Sequence, residues 1–175
     1  MQYIDRALTA LSIRENYAAD NSTEEQPDAL SAKNLHTYLS KMMYNRRSDF
    51  DPLWNSILVA GLDSEDKPFL AAVDLLGTTF EAPSLATGYG AMLAQPILRK
   101  VVPDEEAASK LTEEEAVNAL RECMKVLFYR DARSLDRYSL AIVDQDGVQL
   151  LEDEKLDGQS WQFAERIRGY GTQTN

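Results

Sequence analysis

Glu81-Ala82-Pro83-Ser84-Leu85-Ala86-Thr87-Gly88-Tyr89-Gly90-Ala91 separates a block of strand-like sequence from a block of helix-like sequence. It follows neither the 3.6-residue nor the 2-residue apolar period. Pro83 has no N–H to give a ladder and stops the strand before it. Residues 84–90 are small and carry two glycines, which reads as a tight connection into a helix. That helix is predicted from about Ala91 to Val101, with Met92, Leu93, Ile97 and Leu98 inward, and Pro96 either kinking it or leaving one backbone carbonyl unpaired.

Upstream, the apolar run 56–62 and the run 69–75 flank Asp63-Ser64-Glu65-Asp66-Lys67-Pro68, which is turn chemistry. Two short apolar runs about a polar turn predict a hairpin buried on both faces, with Thr78 to Glu81 as a third strand. Before it lies a helix capped by Ser31, with Leu35, Tyr38, Leu39, Met42 and Met43 as its apolar stripe. It ends near Arg46-Arg47, cations suited to a C-terminus. Earlier still, Tyr3, Ile4, Ala7, Leu8 and Leu11 predict an amphipathic helix over 2–18, and Asp20 to Asp28 reads as a solvated loop. Met1 runs at once into helical pattern with no capping residue, as in a chain that begins inside a fold.

Downstream, 103–110 reads as an acidic loop. Thr112-Glu113-Glu114-Glu115 opens a helix with a capping box, and Val117, Leu120, Cys123, Met124 and Leu127 mark its buried face. Residues 137–144 alternate and are rich in strand formers. Asp144-Gln145-Asp146-Gly147 is a turn, answered by Val148 to Leu151. Residues 153–159 read as another turn. Trp161, Phe163 and Ile167 predict a short terminal helix or strand, and 169–175 a loose tail. Paired helices between blocks of hairpins predict an α+β fold with antiparallel sheets, without a parallel βαβ sheet.

The chain has 175 residues, enough for about one domain of roughly 150. Its 18 Lys and Arg against 29 Asp and Glu give a net charge of -11. That balance argues against nucleic acid and anionic membranes as partners, since both require a cationic face. No apolar run reaches the ~18 residues of a membrane helix, and the start lacks the basic flank and apolar block of a signal peptide. One Cys and one His cannot build a zinc site from such ligands alone, so no metal and no cofactor is expected. A lone Cys123 allows no intrachain disulfide and fits a reducing compartment.

Three stretches together resemble the β subunits of the 20S proteasome. They are Met42-Met43-Tyr44-Asn45-Arg46-Arg47-Ser48 with Asp51-Pro52-Leu53-Trp54-Asn55, then Asp74-Leu75-Leu76-Gly77 with 81–91 and Leu93-Ala94-Gln95-Pro96, and finally Cys123 to Ser134. More narrowly, they resemble the non-catalytic kind, called beta type-4 in animals and holding the beta-seven position in yeast. The resemblance runs from about Met1 to Phe163. It implies an Ntn-hydrolase fold, a four-layer α/β/β/α sandwich of antiparallel sheets, occupying 1–168 with 169–175 as a flexible tail. The family has two hairpins before its first long helix; this sequence has none, so it is expected to be an N-terminally truncated form.

The resemblance also bears on chemistry. Catalytic β subunits use an N-terminal threonine activated by its own amine, with a lysine and an aspartate nearby. That segment is absent here, and Met1 has no hydroxyl. Active subunits carry Gly-Ser-Gly where this sequence has Gly88-Tyr89-Gly90, and Tyr89 is too bulky to repeat the serine. They carry Arg-Asp-Ala-x-Ser-Gly-Gly where this sequence has Arg130-Asp131-Ala132-Arg133-Ser134-Leu135-Asp136. Asp131 and Ser134 are therefore expected as structural remnants, and no residue is expected to be catalytic. The implied role is a non-catalytic, structural subunit of the core β ring, supporting ring assembly for ubiquitin-dependent protein degradation. The implied partners are neighbouring proteasome alpha and beta subunits, in a hetero-oligomer of cytoplasm and nucleus.

Simpler readings compete at several positions. His36 has no second imidazole to work with, and Cys123 on an apolar face reads as a small hydrophobe. Gly88-Tyr89-Gly90 invites a phosphate-loop reading but lacks the following Gly-Lys-Ser. The acidic runs at 104–106 and 113–115 read as a solvated face and a helix start. Arg121, Lys125, Arg130, Arg133 and Arg137 form a basic cluster in an acidic chain, either paired within the chain or facing an acidic neighbouring subunit. Trp161 and Phe163 are anchor candidates for the tail. Two other readings stand beside the structural one. One is a standalone Ntn-type amidohydrolase with an unusual nucleophile such as Ser134. The other is a non-productive fragment from a truncated gene model.

Overall fold

The computed structural model describes residues 2–21 and 30–171. The chain opens with α1 (Gln2–Asn21) and α2 (Ala32–Ser48), followed by β1 (Ile57–Leu62), β2 (Pro68–Val73) and β3 (Thr79–Glu81). Four helices come next: α3 (Gly90–Leu93), α4 (Gln95–Val101), α5 (Glu105–Lys110) and α6 (Glu113–Arg130). The hairpin β4 (Arg137–Asp144) and β5 (Gly147–Lys155) and a 3₁₀ turn at Gln162–Ala164 complete the described chain. Most of the expected loop at 20–28, the tail residues 172–175, and the side chains of Tyr3 and Ala7 lie outside the described residues.

The strands form two antiparallel sheets, β1-β2-β3 and β4-β5. The same device opens all three hairpin turns. Asp63 accepts hydrogen bonds from the N–H groups of Glu65 and Lys67, at 2.8 and 3.0 Å. Asp74 does so from Leu76 and Thr78, and Asp144 from Asp146 and Gly147. A short carboxylate that satisfies turn N–H groups fixes where each strand ends, and with it the register. At the β2–β3 turn Gly77 adopts φ +79°, and an added Cβ would sit 2.8 Å from the Tyr44 Cβ, so only glycine lets this turn lie on α2.

The core sits between α2 and the first sheet. Leu39 and Met43 of α2 meet Val59 of β1 and Phe69, Ala71 and Val73 of β2. His36 joins them; its Nε2–H donates to the Ala72 carbonyl at 2.9 Å and its ring meets Phe69 edge-on at 5.6 Å. A carbonyl only accepts, so this contact fixes the tautomer. A smaller cluster of Ala94, Leu98 and Cys123 joins α4 to α6. β1 of the first sheet lies in contact with β4 of the second.

Several expectations are corrected here. Residues 103–110 are not all loop: Asp104 accepts the Ala107 N–H at 2.8 Å and caps α5, a signal outweighed by the segment's charge. The helix predicted over 91–101 breaks at Ala94. Pro96 then falls in the first turn of α4, where a missing N–H costs nothing, and Met92 turns outward, 78% exposed. The first hairpin is not buried on both faces, since Leu58 and Ala60 face out. Leu120 is exposed beside the buried Cys123. The turn expected at 153–159 starts later, because β5 runs on to Lys155. A bulge places residues 152 and 153 between the Leu140–Leu151 and Tyr138–Glu154 pairs, with Asp153 at φ +61°.

Candidate functional site

Four of the five positions singled out against active relatives come together in one concavity. Tyr89, Gly90, Asp131 and Ser134 line a cleft of about 420 Å³ between the start of α3 and the end of α6, with Arg133, Leu135 and Arg137 along its other wall. Gly88 stands just outside, turning the chain at φ +62° so that its carbonyl receives the Ala91 N–H and opens α3. Gly90 is buried, where a Cβ would press on Ala86 at 3.3 Å. Between them the Tyr89 ring stands free, 64% exposed.

The Ser134 hydroxyl and the Asp131 carboxylate of the cleft are committed to backbone. The Ser134 hydroxyl donates to the Asp131 carbonyl at 2.6 Å and lies 3.3 Å from the Phe128 carbonyl, closing the last turn of α6. The Asp131 carboxylate accepts the Arg133 N–H at 2.9 Å, and the Asp131 N–H donates to the Leu127 carbonyl at 2.8 Å. Orphan carbonyls at a helix end require donors, and the Ser134 hydroxyl supplies one. No imidazole or lysine lines this cleft, and its one carboxylate, Asp131, accepts the Arg133 N–H.

The basic cluster divides. Arg133 and Arg137 belong to the cleft, and Arg137 is paired with Asp153 at the β5 bulge. Arg121 and Lys125 line a separate hollow of about 360 Å³ together with Glu122, Glu154 and Asp157, so their charge is compensated locally. Arg121 donates its Nε–H to the Tyr138 hydroxyl at 3.1 Å, and that bond, ahead of the acidic neighbours Glu154 and Asp157, holds its pKa up. Arg130 stands exposed at the last turn of α6. The five cations therefore do not share one face of use.

Trp161 and Phe163 form an aromatic cluster on the end of α6. Trp161 meets Tyr129 edge-on at 5.2 Å and Phe128 at 6.0 Å, and Phe163 meets Tyr129 at 6.0 Å. The Tyr129 hydroxyl accepts the Ser160 N–H at 2.7 Å and faces the Ser160 carbonyl at 3.1 Å. Tyr129 is thus the latch that holds the C-terminal segment. Sequence reading passed over it, although it sits two residues past the last apolar position marked on α6.

Cys123 is buried, with its Sγ 3.7 Å from the Ala94 carbonyl, and burial, with Glu122 adding, pushes its thiol up and away from nucleophilic chemistry. Among the described residues no group of three or more His, Cys, Asp or Glu is placed to hold a metal ion, and no helix is long and apolar enough to cross a membrane.

Residues 5–143 match the family described as "Proteasome subunit". The chain belongs to the proteasome subunit family, and within it to the β subunits. It is 45% identical over 174 residues to proteasome subunit beta type-7 of Saccharomyces cerevisiae, covering 99% of this chain and 65% of that relative. It is 44% identical to the probable proteasome subunit beta type-7 of Schizosaccharomyces pombe, covering 99% of this chain and 63% of the relative. Against proteasome subunit beta type-4 of Xenopus laevis the identity is 39%, covering 97% of this chain and 65% of the relative. The chain thus spans a little under two thirds of the length of these relatives.

Proposed function

We propose that the chain serves as a non-catalytic, structural member of the β ring of a 20S proteasome core. In this reading it holds neighbouring alpha and beta subunits in a hetero-oligomer of the cytoplasm and nucleus, for ubiquitin-dependent protein degradation. The observation that carries it is the cleft at Tyr89, Asp131 and Ser134. It stands where the resemblance puts the active site of catalytic relatives. Its one serine hydroxyl is spent on helix-end carbonyls, and a tyrosine replaces the small serine. The match to beta type-7 and beta type-4 subunits over nearly the whole chain supports the same role. The four-layer sandwich belongs to this reading. In support, α2 covers the β1–β3 sheet, α6 lies beside β4, and β1 touches β4 between them. So do a domain over 1–168 and a tail over 169–175, tethered by the Tyr129 latch.

The standalone amidohydrolase is not favoured, because the Ser134 hydroxyl is spent on the Asp131 carbonyl and no imidazole or lysine lines its cleft. Two measurements test the proposal. Assembled core particles are treated with a covalent peptidase inhibitor that reacts with nucleophilic hydroxyls, and each subunit is weighed intact. Catalytic subunits gain the inhibitor mass and this chain does not; a mass gain here overturns the non-catalytic role. Deleting residues 169–175 is expected to lower the yield of assembled particle while leaving turnover per particle unchanged. An unchanged yield removes the tail from the account.

A further inference from the structure

The sequence holds two Asp-Gly pairs, Asp146-Gly147 in the β4–β5 turn and Asp157-Gly158 just past β5, and all four residues are exposed. A glycine has no Cβ to keep the preceding carboxyl away from its amide nitrogen, so the pair can close on itself. The glycine nitrogen attacks the aspartate Cγ. An N–Cγ bond forms, and the carboxyl OH leaves with the amide proton as water. Water then opens the five-membered imide at either carbonyl. Opening at Cγ restores aspartate. Opening at the main-chain carbonyl leaves isoaspartate, whose backbone runs through Cβ and Cγ. The water lost in the first step returns in the second, and no other reactant is consumed.

The fold gives the two glycine nitrogens opposite surroundings. The Gly147 N–H donates to the Asp144 carboxylate at 3.0 Å. That anion holds the proton on the nitrogen and ties it to Asp144 instead of Asp146. The Gly158 N–H has no acceptor among the described residues. The Lys125 Nζ lies 4.0 Å from where a Gly158 Cβ would stand, and Gly158 turns at φ +70°. An ammonium there favours loss of the amide proton and steadies the negative charge that builds on the attacked carboxyl.

We propose that Asp157-Gly158 is a site of spontaneous isoaspartate formation, and that the chemically identical pair Asp146-Gly147 is protected from it by Asp144. The site stands between two fixed points. On one side Leu156 is buried and its N–H donates to the Asp136 carbonyl at 2.8 Å. On the other the Ser160 N–H donates to the Tyr129 hydroxyl at 2.7 Å. Isoaspartate at 157 adds one backbone atom between these anchors. The Tyr129 latch, held by single hydrogen bonds and ring contacts, yields before the buried Leu156 does.

The test ages the full protein at physiological temperature and pH, then digests it with trypsin. Peptide 156–166 contains Asp157 as its single aspartate, and peptide 138–155 contains Asp146. Chromatography with electron-transfer fragmentation separates isoaspartate from aspartate in each. Isoaspartate at 157 is expected to accumulate about tenfold faster than at 146, the effect of a unit charge close to an ionising group. In protein unfolded in urea the two rates converge. Asp157→Glu abolishes the product, because a five-membered ring no longer forms, and Lys125→Met slows it. Asp144→Asn, which keeps an oxygen for the turn but not its charge, speeds the reaction at 146. Hydrogen exchange at the Ser160 N–H rises with the isoaspartate fraction. Equal rates at 146 and 157 in the folded protein, or no isoaspartate at 157, overturn the proposal. So does a contrast that persists in urea, since it would then owe nothing to the fold.

Discussion

The two halves of the molecule are held by different forces. Around α2 and the first sheet, Leu39, Met43, Ala71 and Val73 are each at most 2% exposed. Burial there is continuous, and it supplies stability without regard to direction. Around α6 and the second hairpin, the buried cluster among the described residues is the smaller set Ala94, Leu98 and Cys123, with Val102, Leu140 and Leu156 buried apart from it, and Val148 and Leu150 of β5 stand 69% and 56% exposed. Its shape comes from directional bonds instead: the Thr112–Glu115 capping box, the Asp131 and Ser134 closure of α6, and the Tyr129 latch. Such bonds contribute about 1 kcal/mol each, so they set geometry more than stability. The candidate site lies in the half whose apolar surface is left over.

The largest effect should separate the two cores. Met43→Ala is expected to cost about 3–5 kcal/mol, because it empties a fully buried position in a continuous core. Leu98→Ala should cost nearer about 2 kcal/mol, since its thinner surroundings can collapse. Chemical denaturation of both variants checks this; equal losses would break the contrast. Thr112→Ala should cost about 1 kcal/mol by removing the cap of α6. Its signature is a loss of protection in the first turn of α6 by hydrogen exchange, with α2 unchanged.

A change of opposite sign is expected at Phe50. α2 ends in a Schellman closure: the Phe50 N–H donates to Arg47 O at 3.1 Å and the Asp51 N–H to Arg46 O at 3.0 Å. Phe50 therefore sits at φ +57°, a conformation that favours glycine, and is 97% exposed. Phe50→Gly should stabilise the chain by about 1 kcal/mol, read as a higher denaturation midpoint. A lower midpoint would mean that the ring packs within the chain after all.

The smallest effect is with pH. The Asp63 carboxyl is held below its ordinary value by the Lys67 and then the Glu65 N–H, and Glu115 by the Thr112 N–H and then its hydroxyl. Folding lowers both values, so their support is present above the ordinary carboxylate range. It is lost as pH falls through the depressed folded values. Glu115→Gln should therefore flatten the decline in stability between about pH 5 and about pH 3. An unchanged slope in urea titrations at several pH values would remove the capping box from the explanation.

Much of this was legible in the sequence, and the misses have physical causes. The Ser31 and Thr112 caps, the Asp63 and Asp144 turns and the bounds of β4 follow from local chemistry, and local chemistry is what a sequence states directly. α5 was missed because a six-residue helix presents too little period to weigh against its charge. The break at Ala94 was missed because Pro96 suits an interior kink and a first turn equally, and only the packing of α4 on α6 decides. At the site, the words around Gly88-Tyr89-Gly90 and Asp131 to Ser134 pointed to one place, and Tyr89, Gly90, Asp131 and Ser134 meet there. The division of the basic cluster was not legible. Arg121 and Arg137 look alike in sequence, and which carboxylate faces each depends on where the β5 bulge puts Glu154 and Asp153.

The structural role is tested most directly by capturing the protein under native conditions and weighing every chain that comes with it. A β-ring member arrives in one large particle with a set of similar-sized subunits, in fixed ratio. A chain that arrives alone and hydrolyses amide bonds when purified, with the activity lost in Ser134→Ala, would contradict that role.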